Sequence, residues 1–154
     1  MKKRGGKAKC LFCDFAQGIS QKHRNGHSFS KLKETKNTLS FLSLDSPINH
    51  DAHILVIPKN HYENFHEVPN NIKHELSEHI SLIGSFIKKR HEGYNILLNN
   101  GKAAGQYVEH CHFHLIPRDL NDKIKIEIWR RKRISKNKFE DLARRTKKQL
   151  ESNF

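Results

Sequence analysis

Apolar positions along this chain change period several times, and each change predicts an element. Residues 38–44 alternate apolar with polar side chains and predict a strand. Asp45-Ser46-Pro47 then turns the chain. Residues 52–58 are nearly all apolar, the pattern of a strand central in its sheet. From Asn71 the spacing becomes helical: Ile72, Leu76, Ile80, Ile83 and Ile87 form one stripe. Asn70 or Asn71, after Pro69, is the expected N-cap, and Gly93 the expected stop. Residues 94–98 predict a third strand. A fourth spans residues 110–117, where His110, His112 and His114 alternate with Cys111, Phe113 and Leu115. An extended chain sends successive side chains to opposite faces, so the three imidazoles share one face about 6–7 Å apart and the apolar three enter a core. Ile124, Ile126 and Ile128 suggest a short edge strand. A C-terminal helix is expected over residues 136–150, with Phe139, Leu142 and Leu150 on one stripe. Strand, strand, long helix, strand, strand reads as α+β with an antiparallel meander.

The length, 154 residues, suits one domain with a real core. Residues 1–9 read as a disordered basic tail, 10–118 as the domain and 119–154 as a basic extension carrying a helix. No apolar run approaches the ~20 residues that span a bilayer, and Gly5-Gly6-Lys7 interrupts any signal-peptide core. Three cysteines, an odd number, suit a reducing compartment. The expectation is a soluble cytoplasmic protein with no membrane partner. A net charge of +13 either solvates the two ends or attracts phosphate-rich partners. Charge alone does not separate these.

Three imidazoles on one strand face suit chemistry near neutral pH. The histidines can bind a catalytic zinc with a third ligand elsewhere, attack as nucleophiles, or lie idle on a surface strand. The loop before them, Asn99-Asn100-Gly101-Lys102-Ala103-Ala104-Gly105-Gln106, has the small residues and amide donors that let backbone N–H groups approach an anion. Cys10-Leu11-Phe12-Cys13 carries two thiols at the spacing of one tetrahedral metal site. A redox pair and two unliganded thiols are the competing readings.

Taken together, these motifs resemble the histidine triad (HIT) family. The resemblance rests on His110-Cys111-His112-Phe113-His114-Leu115-Ile116, on Asn99-Asn100-Gly101 with Ala104-Gly105-Gln106, and on Asp45 followed by the strand His53-Ile54-Leu55-Val56-Ile57-Pro58-Lys59-Asn60-His61. It runs from about Cys10 to Arg118. It implies a HIT-like fold and a two-fold homodimer in which the long helix and residues 94–98 pair, merging two sheets. It implies a hydrolase or transferase cleaving adenosine phosphoramidates or dinucleoside polyphosphates through a covalent nucleotidyl-His112 intermediate, with a purine nucleotide as substrate. In that reading His110, His114 and His53 complete the catalytic group. Asp45 meets the ribose, Asn99, Gly105 and Gln106 hold phosphate, and Leu44 and Leu55 lie at the base. Ordinary core leucines are the alternative for those two.

By the same resemblance Cys10, Cys13, His61 and His110 hold a structural zinc, with His53 and His50 as alternative ligands and no organic cofactor. Three positions depart from the family pattern: Tyr107 after the loop glutamine, Glu109 before the triad, and Ala52 before His53. Other readings stay open. One is a nucleic-acid-associated HIT protein acting on adenylated DNA ends, with Arg130 to Arg133 and Lys136 on phosphates. Another is a non-catalytic nucleotide-binding protein, and a last is a three-histidine zinc hydrolase. Trp129 is a candidate to reach a neighbouring subunit's cleft.

Overall fold

The computed structural model describes residues 10–22, 26–45, 47, 53–126 and 134–152. Residues up to Ile124 form one compact unit and those from Lys125 another. The basic residues 1–9, His50, Ala52, Trp129 and Arg130 to Arg133 lie outside the described residues, as does the end of the suggested edge strand from residue 127. Its first residues, 124–126, are not in a ladder.

Five strands make one antiparallel sheet: β1 (Lys31–Glu34), β2 (Thr38–Leu42), β3 (Ile54–Pro58), β4 (Gly93–Leu98) and β5 (Phe113–Arg118), in spatial order β1-β2-β3-β5-β4. The first three are a meander. The long helix α2 (Asn70–Lys88) then carries the chain to the far edge, so β5 returns between β4 and β3. The apolar run at 54–58 is central, as its composition requires: every residue of β3 is buried.

Each face of the sheet has its own core. Ile54, Val56, Cys111, Phe113 and Leu115 meet Ile72, Leu76, Ile83 and Ile87 of α2. On the opposite face Leu39, Phe41, Leu55 and Ile57 pack with Phe12 and Phe15 of a short helix, α1 (Leu11–Ala16). Cys111 is fully buried, and burial pushes its thiol up to about 11, so it stays protonated and inert.

Helix α2 is fastened at two places. His79, buried, sits between Thr38 Oγ1 at 2.6 Å and Ser40 Oγ at 3.0 Å, both on β2. The chain of polar contacts continues through Thr35 to Glu75, which also accepts from the Asn37 N–H at 2.8 Å. Farther along, Gly84 faces the Tyr94 ring of β4 so closely that an added Cβ would lie 2.5 Å from its hydroxyl.

Several boundaries differ from the sequence reading. Pro69, not Asn70 or Asn71, occupies the N-cap of α2, and its carbonyl accepts from the N–H groups of Ile72 and Lys73. The helix stops at Lys88, and Gly93 instead begins β4. Asp119 explains the early stop. Its carboxylate accepts the Glu92 N–H at 2.8 Å and contacts His91 Nδ1 at 2.8 Å, turning the chain back alongside β5. The first unit also extends past Arg118, because that guanidinium grips the buried Asp122 at 2.6 and 3.0 Å and donates to the Ile124 carbonyl at 2.8 Å. Strand β1 and helix α1 have no counterpart in the sequence periodicity.

The second unit contains one described helix, α3 (Lys136–Glu151). Its stripe of Phe139, Leu142 and Leu150 is exposed.

Candidate active site and metal centre

Ladder pairing of β5 begins only at Phe113, so His110 and His112 stand just outside the regular strand. The Cys111 N–H donates to the Tyr62 carbonyl at 2.6 Å instead of to a neighbouring strand. Alternation nonetheless persists: Cys111 and Phe113 enter the α2 core, while His110 and His112 turn to the α1 face. There Phe12 meets both imidazoles edge-on, with centroids 5.8 Å from His110 and 5.3 Å from His112.

The protons on these rings follow from their acceptors, because a carbonyl oxygen can only accept. His112 Nδ1 lies 2.6 Å from the His110 carbonyl, so Nδ1 carries the hydrogen and Nε2 keeps its lone pair. His53 Nδ1 donates to the Asp45 carbonyl. Its Nε2 is therefore an acceptor, and His114 Nδ1, 2.9 Å away, must donate to it. That leaves His114 Nε2 bare as well. His110 has the opposite tautomer: Nε2–H donates to the Pro58 carbonyl at 2.8 Å, and Nδ1 points at the thiols.

Desolvation by burial lowers all four histidines. His114 falls to about 4, helped by the neighbouring His112 and His53. His110 also falls to about 4, against the favourable bond to Pro58. His112 and His53 shift in the same direction from the same cause. Near pH 7 the site is a row of neutral imidazoles with two Nε2 lone pairs presented.

The phosphate-type loop is built from inside. Register pairs Leu97 with His114 and Leu98 with Phe113. Asn99 follows one residue beyond that last pair, at the strand end next to His112. Gly101 and Gly105 both have φ near +80°, a conformation glycine adopts without a Cβ clash. Gln106 is buried and braces the loop: Oε1 accepts the Gly101 N–H at 2.5 Å and Nε2 donates to the Glu63 carbonyl at 2.8 Å. The Asn99 amide donates to the Gly105 carbonyl at 3.4 Å.

The other expected contacts divide. Leu55 is buried and pairs in register with His114, within the α1-face core. Leu44 is 43% exposed. Asp45 reaches the group through its backbone carbonyl, and its side chain is exposed. Tyr107 is 92% exposed beside the loop.

The second constellation closes fully. Ligand atoms of Cys10, Cys13, His61 and His110 all lie within 4.8 Å of one another, and this is the one such cluster among the described residues. Cys10 Sγ is 3.4 Å and Cys13 Sγ 3.6 Å from His110 Nδ1, and Cys13 Sγ is 3.4 Å from His61 Nδ1. A tetrahedral zinc with Zn–S near 2.3 Å and Zn–N near 2.0–2.1 Å sets its N···S edges at about 3.5 Å. The donor set fits that ion. His53 is engaged with His114 and lies outside the cluster, and the three triad imidazoles do not converge on one point.

Reasoning from sequence missed the roles of Phe12, Pro58, Tyr62, Glu63 and Asn100. Only Phe12 had a local signal, as the large apolar residue between two metal-type cysteines. The others act through backbone carbonyls or across long sequence separations.

The sequence profile of the HIT domain matches residues 29–121. The chain belongs to the HIT domain family. It is similar to the adenosine 5'-monophosphoramidase HNT1 of Candida albicans, 38% identical over 117 residues, covering 72% of this chain and 71% of that one. It is also similar to the adenylylsulfatase HINT3 of Arabidopsis thaliana, 36% identical, where the match covers 73% of this chain and 54% of that protein. Among solved HIT structures, the histidine triad nucleotide-binding protein of Candida albicans superposes with a TM-score of 0.78 at 29% identity, covering 95% of this chain and all of that one. Among the described residues no helix is long and apolar enough to cross a membrane.

Proposed function

We propose that this HIT protein hydrolyses nucleotides at the α-phosphorus through His112, with adenosine phosphoramidates as the leading substrates and dinucleoside polyphosphates as further ones. The bond from His112 Nδ1 to the His110 carbonyl carries the reading. It locks one tautomer and aims an unprotonated Nε2, the form in which imidazole is a nucleophile. The names of the Candida and Arabidopsis relatives, a monophosphoramidase and an adenylylsulfatase, point to different leaving groups on the same adenylyl phosphorus.

In the first step the Nε2 lone pair forms a bond to phosphorus as the phosphorus–nitrogen bond of the substrate breaks. The departing amine takes a proton from solvent and leaves neutral. In the second, water attacks phosphorus, its proton passes to solvent or to His114 Nε2, and His112 leaves with its lone pair restored. The loop around Asn99 and Gly105 supplies donors to the phosphoryl oxygens as charge builds. Gln106 and Asn100 hold that loop in shape, and Asp45 serves the ribose. Because His114 Nε2 is bare, His114 can at first accept only from the substrate's amine N–H or from water, not from a phosphoryl oxygen. It donates only after gaining a proton, which bound phosphate favours and burial opposes.

Zinc on Cys10, Cys13, His61 and His110 completes the proposal. When bound, it gathers four side chains from three segments and holds the thiols as thiolates. A homodimer is supported by β4, an edge strand carrying the exposed Ile96, and by the exposed Leu82 and Phe86 of α2. Sedimentation should then give twice the 18.0 kDa chain mass.

The decisive experiment is His112→Ala against adenosine 5'-phosphoramidate, with brief-mixing mass spectrometry of the parent. Turnover should vanish and adenosine monophosphate should still bind, while the parent yields an adenylated peptide covering residues 110–114. Parental turnover in the variant would remove the mechanism.

A further inference from the structure

The metal cluster and the phosphate loop are joined by one short stretch of chain. His61 contributes Nδ1 to the cluster, 3.4 Å from Cys13 Sγ. The next residue, Tyr62, accepts the Cys111 N–H at 2.6 Å. Glu63 accepts Gln106 Nε2 at 2.8 Å. Phe65 donates its N–H to Asn100 Oδ1 at 2.8 Å and packs edge-on against Phe113 at 5.5 Å. Four attachments, at residues 61, 62, 63 and 65, thus tie a metal-type ligand to the triad backbone and to both ends of the loop. The other histidine of the cluster is equally placed, since the His110 carbonyl is the acceptor that fixes His112.

We infer that ion occupancy and nucleotide phosphate binding are thermodynamically coupled through residues 61–65, with His61 as a positioning residue. This rests on the proposed nucleotide site. An ion that only pinned α1 would need none of these attachments. Here, releasing His61 frees the carbonyls that hold Gln106 and Cys111, and the loop loses the shape that presents its N–H groups. Coupling of this kind is reciprocal: if zinc tightens nucleotide binding, nucleotide tightens zinc by the same factor.

The test measures both directions. Calorimetry gives the affinity of adenosine monophosphate for zinc-loaded and chelator-stripped protein. Competition with a chromophoric chelator gives zinc affinity with and without saturating adenosine monophosphate, and needs no stable stripped form. Each should change by at least about fivefold, the lower end of ordinary coupling. Asn100→Ala removes the Phe65 attachment and should shrink the nucleotide effect on zinc affinity while the ion stays bound. His61→Cys, which retains a fourth ligand, should hold the ion yet weaken the coupling by moving the 61–65 backbone. Equal zinc affinity with and without nucleotide, in protein that binds both, overturns the coupling and leaves the nucleotide site standing. Failure of zinc-loaded protein to bind adenosine monophosphate overturns both.

Discussion

Replacing His114 with Asn should flatten the acid limb of the stability curve. Burial first, and the neighbouring imidazoles second, lower His114 to about 4 in the folded chain. In the unfolded chain it titrates near the ordinary histidine value of ~6.5. Between these values the unfolded chain holds the extra proton, so stability rises with pH across that window. The contribution is complete above about pH 6.5 and is lost as pH falls toward 4. The full shift corresponds to roughly 3 kcal/mol at about 1.36 kcal/mol per unit, of which about 2 kcal/mol is expressed between pH 7 and 5. The ring is only partly buried, and solvent screening brings this to about 1 kcal/mol. Urea unfolding of parent and His114→Asn at pH 7 and 5, with excess zinc throughout, isolates the term, because metal release is common to both. The parent should lose about 1 kcal/mol more than the variant. Identical slopes would refute the desolvation argument, and a steeper variant would reverse its sign.

Three other outcomes follow from the same geometry. Gly84→Ala gains about 1 kcal/mol of helix propensity but drives a Cβ into the Tyr94 ring, an overlap costing about 1–3 kcal/mol. Because that ring packs against the α2 core, the clash should win and lower the urea midpoint, whereas a rise of about 1 kcal/mol would show that Tyr94 swings away. Binding of adenosine monophosphate should take up a proton at His114, since phosphate charge opposes the burial that keeps it neutral. Affinity should therefore tighten from pH 8 to 6, with calorimetric heats that depend on buffer ionisation, and buffer-independent heats would contradict it. Asp122→Ala leaves Arg118 without its carboxylate and the Ile124 N–H without its acceptor at 2.8 Å, and should cost about 2–3 kcal/mol by urea unfolding.

Much of the architecture was readable from side-chain periodicity alone. The apolar run at 54–58 announced a central strand, and Ile72, Leu76, Ile83 and Ile87 announced the buried stripe of α2. Alternation through residues 110–115 correctly separated the imidazole face from the core face. Lys31–Glu34 was invisible because all four residues are exposed on an edge strand, which carries no burial pattern. Gly93 misled because Asp119 holds His91 and Glu92 outside the helix, and at the other end Pro69 itself takes the cap position expected of Asn70 or Asn71. Within the site, side-chain identities could be proposed from spacing, but tautomers could not. Those depend on the carbonyls of Pro58, Asp45 and His110, and a backbone oxygen has no letter in the sequence. Gln106 illustrates the limit: its type suits a ligand contact, and the structure shows it bracing Gly101 and Glu63.

The double fastening of α2 has a consequence for assembly. With His79 keyed between two β2 hydroxyls and Tyr94 seated over Gly84, rolling the helix about its axis or sliding it along the sheet would break both contacts. Whatever meets Leu82 and Phe86 therefore encounters a template cast in advance, and association through it should behave as rigid docking, with little ordering left to accomplish on contact.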